Sequence, residues 1–116
     1  MKTVVFDFDG VIHSYKSGWQ GDETVIPDPP VEGIKEAISN IRANGYEVVV
    51  VSTRCGTFDG QTAIERYLKE NDIVVDRVTM EKPPAIVYID DRAICFDGNC
   101  NTLLDKIHNF KPWYNK

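Results

Sequence analysis

Apolar runs along this chain alternate with segments whose apolar residues recur every three or four positions. Residues 3–8 (TVVFDF) are rich in β-branched and aromatic side chains and predict a first strand. Asp28-Pro29-Pro30 is a helix-start signal, with Asp as N-cap and Pro in the first turn. Behind it Val31, Ile34, Ala37, Ile38 and Ile41 keep helical spacing, and Gly45 supplies the stop. Residues 46–51 (YEVVVV) form a continuous apolar run, as expected of a parallel strand covered on both faces. A second helix is predicted over residues 60–71, with Ala63, Ile64, Tyr67 and Leu68 inward. Further strands are predicted over 73–78 and 85–89 (AIVYI), with a short fifth at 94–96 before the Asp97-Gly98 turn. Leu103, Leu104, Ile107 and Phe110 predict a closing helix. This alternation predicts an α/β domain with a central parallel sheet and right-handed crossovers. Residues 11–27 keep no period and read as a hairpin or flap over one end of the sheet.

With 116 residues the chain is one domain, 1–116, long enough to bury about two-thirds of its unfolded surface. Cys55, Cys95 and Cys100 are odd in number and form no CxxC pair. Neither a disulfide framework nor a zinc site is indicated, and a reducing cytosol is the expected compartment. The N-terminal apolar stretch is too short for a signal sequence or a membrane span. A net charge of -5 argues against bulk binding to nucleic acid.

The polar residues that follow the apolar runs change the picture. Asp7 and Asp9 follow the first run, Ser52 and Arg54 the second, and Asp90 and Asp91 the run at 85–89. In a parallel sheet these ends share one edge, where open α/β sheets bind ligands. Singly, each pair reads as a cap or turn; together they form a cluster whose carboxylates repel unless a cation neutralises them. Carboxylate oxygens without His or Cys partners suit a hard ion, Mg²⁺ over Zn²⁺.

On these residues the chain resembles the haloacid dehalogenase-like (HAD) hydrolase superfamily over nearly its whole length. Asp7-Phe8-Asp9-Gly10-Val11 is similar to the first motif, DxDGV; Ser52 to the second; Lys82 to the third-motif lysine; Asp90-Asp91 to the acidic fourth motif. The resemblance implies a Rossmann-like three-layer sandwich and a phosphatase working through an aspartyl-phosphate on Asp7, with Asp9 as general acid/base. It implies Mg²⁺ held by Asp7, the Asp9 main-chain carbonyl and Asp91, while Asp90 orients Lys82 or a metal-bound water. Gly10 would let the backbone approach the phosphate. Ser52 would donate to the phosphoryl oxygens; Thr53 is adjacent and competes for that role, although the Ser-x-Arg arrangement favours Ser52. Lys82 would neutralise charge on the nucleophile and the phosphoryl group. Arg54 would grip a substrate phosphate. Arg92 stays open between that role and a structural ion pair. His13 reads as an ordinary loop histidine, and Trp19, Tyr15 and Phe58 as a wall around substrate or packing of the flap.

The insertion at 11–27 is short, and 72–82 has no room for a second one, so the chain resembles capless members. An open site implies a phosphorylated substrate of macromolecular or nucleotide-like character. The competing class is a catalytically silent binding or regulatory module on the same fold. A receiver-like acyl-phosphate domain is disfavoured because its accepting Asp lies on a later strand, and a sugar phosphotransferase because it needs a cap.

Overall fold

The computed structural model describes residues 1–115. Its elements are β1 (Thr3–Asp7), α1 (Ile34–Ala43), β2 (Glu47–Val51), α2 (Phe58–Glu70), β3 (Arg77–Thr79), β4 (Val87–Ile89) and α3 (Leu103–His108), with short 3-10 turns between. The strands form one sheet in the order β3-β2-β1-β4, every pair parallel. The α/β sheet with flanking helices is therefore as the alternation predicted.

Side chains alternate along each strand, which sorts the valine run into two sets. Val4, Phe6, Val48 and Val50 join Phe8, Ile12, Ile38, Ile64, Tyr67 and Leu68 in one buried cluster, so both long helices contribute to one core. Val5 and Val49 point the other way and are buried as well, at 4% and 0% exposure. The crossover that reaches β4 over residues 80–86 carries no helix, so the third layer of a sandwich is not built by that connection. The short helix α3 leaves Leu104 and Ile107 exposed.

Five local expectations are corrected. Asp28-Pro29-Pro30 does not start the helix. The Asp28 carboxylate accepts from the Ser17 amide and hydroxyl at 2.8 and 2.6 Å, and Pro30 bridges His13. Helix α1 begins at Ile34, after Gly33 in the left-handed conformation that glycine tolerates. The second helix starts two residues early because the Thr57 hydroxyl caps it, accepting from the Gly60 amide. The strand expected over 73–78 shrinks to Arg77–Thr79, as Asp76 instead ties its carboxylate to the Val48 amide and Arg42. No fifth strand forms at 94–96: Phe96 is 58% exposed, and pairing there would bury too little apolar surface to offset the lost chain entropy. Residues 11–27 form a loop with isolated bridges rather than a hairpin.

Candidate active site

Asp7 ends β1, Ser52 follows β2 and Asp90 follows β4, so parallel pairing brings all three to one sheet edge. After Asp7 the chain folds back tightly: the amides of Ile12 and His13 both bond the Phe8 carbonyl, and Gly10 bonds the His13 carbonyl. A cleft of about 270 Å³ opens there, lined by Asp7, Asp9, Ser52, Thr53, Arg54 and Asp91, with Tyr15, Trp19, Met80 and Arg92 around it. A cavity of about 480 Å³ lies at the opposite sheet edge, near Met1 and Tyr46, but its Arg42 and Asp76 already satisfy each other. The smaller cleft holds the unspent chemistry.

Asp7, Asp90 and Asp91 each present a carboxylate oxygen, all within 4.8 Å of one another. Burial pushes the Asp7 carboxyl up to about 8, reinforced by its bond with Asp91 and by the charges of Asp90 and Asp91. Such a group binds either a proton or a cation. An all-oxygen set of this kind fits a hard divalent ion such as Mg²⁺. The carboxylate of Asp9 is not among the three. Asp90 is exposed and shares a small cavity with Asp7, Val5 and Lys82, whereas Asp91 is 9% exposed and lines the main cleft. Lys82 forms no ion pair with these aspartates; its ammonium lies over the Tyr88 ring, 4.1 Å from the centroid.

Asp9 lives in a different environment. Its Oδ1 accepts from His13 Nδ1 at 2.8 Å, and Arg54 forks onto both oxygens through Nε at 2.8 Å and Nη2 at 3.1 Å. Burial raises its carboxyl, but bonds from His13 and Arg54 and the charge of Arg54 outweigh that and hold it below the usual range. Arg54, expected on a substrate phosphate, is committed elsewhere. It is 3% exposed, and Nη1 donates to the carbonyls of Glu23 and Val25 at 2.9 and 3.0 Å. A guanidinium carries five donors, and four of them are spent inside the protein.

Ser52 is 5% exposed, and its hydroxyl accepts from the Arg54 amide, so its own proton remains to be donated into the cleft. Thr53 is exposed on the same wall. Gly10 has φ +84°, and a Cβ there would overlap the Asp91 carboxylate. Its lack of a side chain thus lets Asp91 reach the cleft.

Three participants lie outside the sequence motifs. His13, taken as an ordinary loop residue, is fully buried, and its Nε2 accepts from the Asp28 amide at 3.1 Å. That acceptor role leaves Nδ1 as the N–H that donates to Asp9. Its place four residues after Asp9, next to the Gly10 turn, is the signal that could have found it. Trp113 and Tyr114 reach back from the far end of the chain, to the Gly10 carbonyl and to Asp91 Oδ2, each at 2.7 Å. No local pattern announces either contact. Of the aromatic residues expected near the cleft, Trp19 lies on Arg54, 5.1 Å from ring centroid to Cζ, and Tyr15 packs on His13 and Tyr114. Phe58 is 85% exposed at the start of α2 and lines no part of it.

No family model, curated protein or solved structure matches the chain. Among the described residues no helix is long and apolar enough to cross a membrane, and all three cysteines are free.

Proposed function

We propose that the chain is a Mg²⁺-dependent phosphomonoester hydrolase of the HAD type, with Asp7 as nucleophile and Asp9 as general acid/base. The observation that carries this reading is the convergence of Asp7, Asp90 and Asp91 oxygens within 4.8 Å, at a sheet edge shared with Ser52. In this reading the four-stranded parallel sheet is the centre of a Rossmann-like, capless HAD fold. Free Cys55, Cys95 and Cys100 fit a reducing cytosol.

Asp7 attacks phosphorus, and the new P–O bond of the aspartyl-phosphate forms as the bond to the leaving oxygen breaks. Asp7, Asp91 and the Asp9 main-chain carbonyl, with Asp90 beside them, would hold Mg²⁺, which would supply charge that neutralises the carboxylates and the phosphoryl group. Asp9 gives the leaving oxygen a proton and takes one from the water that hydrolyses the aspartyl-phosphate. His13 and Arg54 keep Asp9 a carboxylate between turnovers, so the proton it gives arrives with each substrate and the one it takes from water leaves with the product phosphate. A phosphomonoester monoanion, abundant below about pH 6, carries one. Ser52 donates to a phosphoryl oxygen, and Lys82 adds positive charge on the Asp90 side of Asp7.

Among the described residues no second domain covers the cleft, and Trp19 stands 54% exposed at its rim. A nucleotide-like or macromolecular phosphomonoester gains contacts there that a small sugar phosphate cannot. The test is a phosphatase screen over nucleotides, nucleic-acid ends, sugar phosphates and phosphopeptides, with Mg²⁺ or EDTA and with Asp7→Asn as control. Release of phosphate that needs both Mg²⁺ and Asp7 supports the reading.

One observation favours a second reading, a catalytically silent module: both Asp9 oxygens are tied down by His13 and Arg54. Such a module would bind Mg²⁺ and phosphate, yet turn over no member of the screen.

A further inference from the structure

The strand that presents Asp91 gives it little support. β4 has three residues and lies at the sheet edge, its Val87 and Tyr88 are exposed, and Asp90 and Arg92 on either side of Asp91 are exposed too. A metal-ligating carboxylate needs a fixed direction, and a second partner on its outer oxygen commonly supplies it. That partner comes from the other end of the chain. The Tyr114 hydroxyl donates to Asp91 Oδ2 at 2.7 Å, while the Trp113 indole donates to the Gly10 carbonyl at 2.7 Å. The two bonds moor the turn Trp113–Asn115 to both halves of the aspartate site. The Tyr114 ring packs edge-on against Trp113 and Tyr15 and lies against Gly10, where any side chain would displace it.

We propose that Tyr114 is a positioning residue of the cation site, holding Asp91 Oδ2 so that Oδ1 is turned to the cation that Asp7 shares, with Trp113 fixing the turn from which it acts. This rests on the phosphohydrolase reading above. The hydroxyl is suited to the task. The phenol O–H reaches Asp91 Oδ2 from a ring held between Tyr15 and Trp113. The bond uses one oxygen of Asp91 and leaves the other free to ligate, so the carboxylate cannot turn away into solvent. A merely structural tyrosine would contribute its ring and nothing to metal affinity.

Tyr114→Phe removes one oxygen and keeps the ring, so it separates these roles. Mg²⁺ titration calorimetry on the full chain is expected to show a dissociation constant raised about 10- to 100-fold. The melting temperature in EDTA is expected to stay close to that of the parent. Trp113→Phe, which loses the Gly10 bond but keeps an aromatic ring, is expected to weaken Mg²⁺ binding in the same direction by less. Asp91→Ala is expected to abolish it. Unchanged Mg²⁺ affinity in both Tyr114→Phe and Trp113→Phe, with binding lost in Asp91→Ala, overturns the role given to Tyr114 and leaves the cation site standing. Absence of Mg²⁺ binding in the parent protein overturns the cation site itself, and the positioning role with it.

Discussion

Asp7 and Asp9 are two residues apart at the end of one strand, yet their surroundings are opposite. Asp7 faces Asp90 and Asp91, and its carboxyl is pushed up to about 8. Asp9 faces His13 and Arg54, and its carboxyl is held below the usual range. The counter-charge of Asp9 is built into the chain and buried with it. Asp7, beside two other acids, is neutralised by a proton or by a cation. The end of the strand makes this possible: Asp7 closes β1 on the Val5 side of the sheet, whereas Asp9 already lies in the turn that carries His13. One short peptide can thus present one carboxylate paired with cationic and polar side chains and another left to a proton or a cation.

The comparison breaks most sharply at Asp7. Asp7→Asn is expected to lower phosphatase turnover by several orders of magnitude while the protein stays folded, read by steady-state kinetics and circular dichroism. Activity near the parent level would remove the nucleophile from the side that awaits a cation. On the other side, Arg54→Ala strips Asp9 and the carbonyls of Glu23 and Val25 of their partner. Breaking a buried pair in this way costs about 3–5 kcal/mol, and urea denaturation is expected to show a loss of that order. A change under about 1 kcal/mol would show that the Asp9 clamp is ornamental.

Two smaller effects sharpen the contrast. Trp19 leans on Arg54 and so belongs to the Asp9 side of the cleft. Trp19→Ala is expected to lower kcat/KM for a nucleotide-like or nucleic-acid substrate roughly tenfold, as loss of one stacking contact would, and to spare p-nitrophenyl phosphate. Equal losses on the two substrates would give the indole a packing role only. The last effect is on pH. Folded Asp7 keeps its proton to about 8, whereas the unfolded chain releases it near the ordinary value of 3.8. The resulting stabilisation is present in full below that ordinary value and is lost as pH rises through about 8. Asp9 has the opposite sign: its stabilisation is present above the ordinary value and is lost as the medium becomes more acidic. In EDTA, calorimetry is expected to show a melting temperature that falls by a few degrees between about pH 6 and pH 9. Saturating Mg²⁺ or Asp7→Asn is expected to flatten that slope. A slope of the same size in Asp7→Asn would trace it to another group.

What could be read from the chain beforehand follows the range of the interactions. β1, β2 and β4 were legible because a valine run and its neighbours depend on burial, and the aspartates at the ends of β1 and β4 followed from parallel pairing. The direction of Arg54 was not legible, since its partners are Asp9, Glu23 and Val25, brought to it by the loop. Asp28 before two prolines looked like a helix cap because local rules favour it there, but a loop serine competes for the same carboxylate and wins. Tyr114 and Trp113 left no trace at all, as their partners Asp91 and Gly10 lie 23 and 103 positions away.

The position of β4 has a consequence for how the molecule breathes. β3 and β4 are both three-residue edge strands paired to one neighbour. Of the two, β4 has less apolar burial to lose by detaching, with Val87 46% and Tyr88 39% exposed, while Val48, Val49 and Val50 are sealed at 0%. Local opening therefore begins where Asp90 and Asp91 are carried and leaves the Ser52 side standing. A cation bridging Asp7 to Asp91 would act as a rivet across the seam between β1 and β4, slowing amide exchange along that seam.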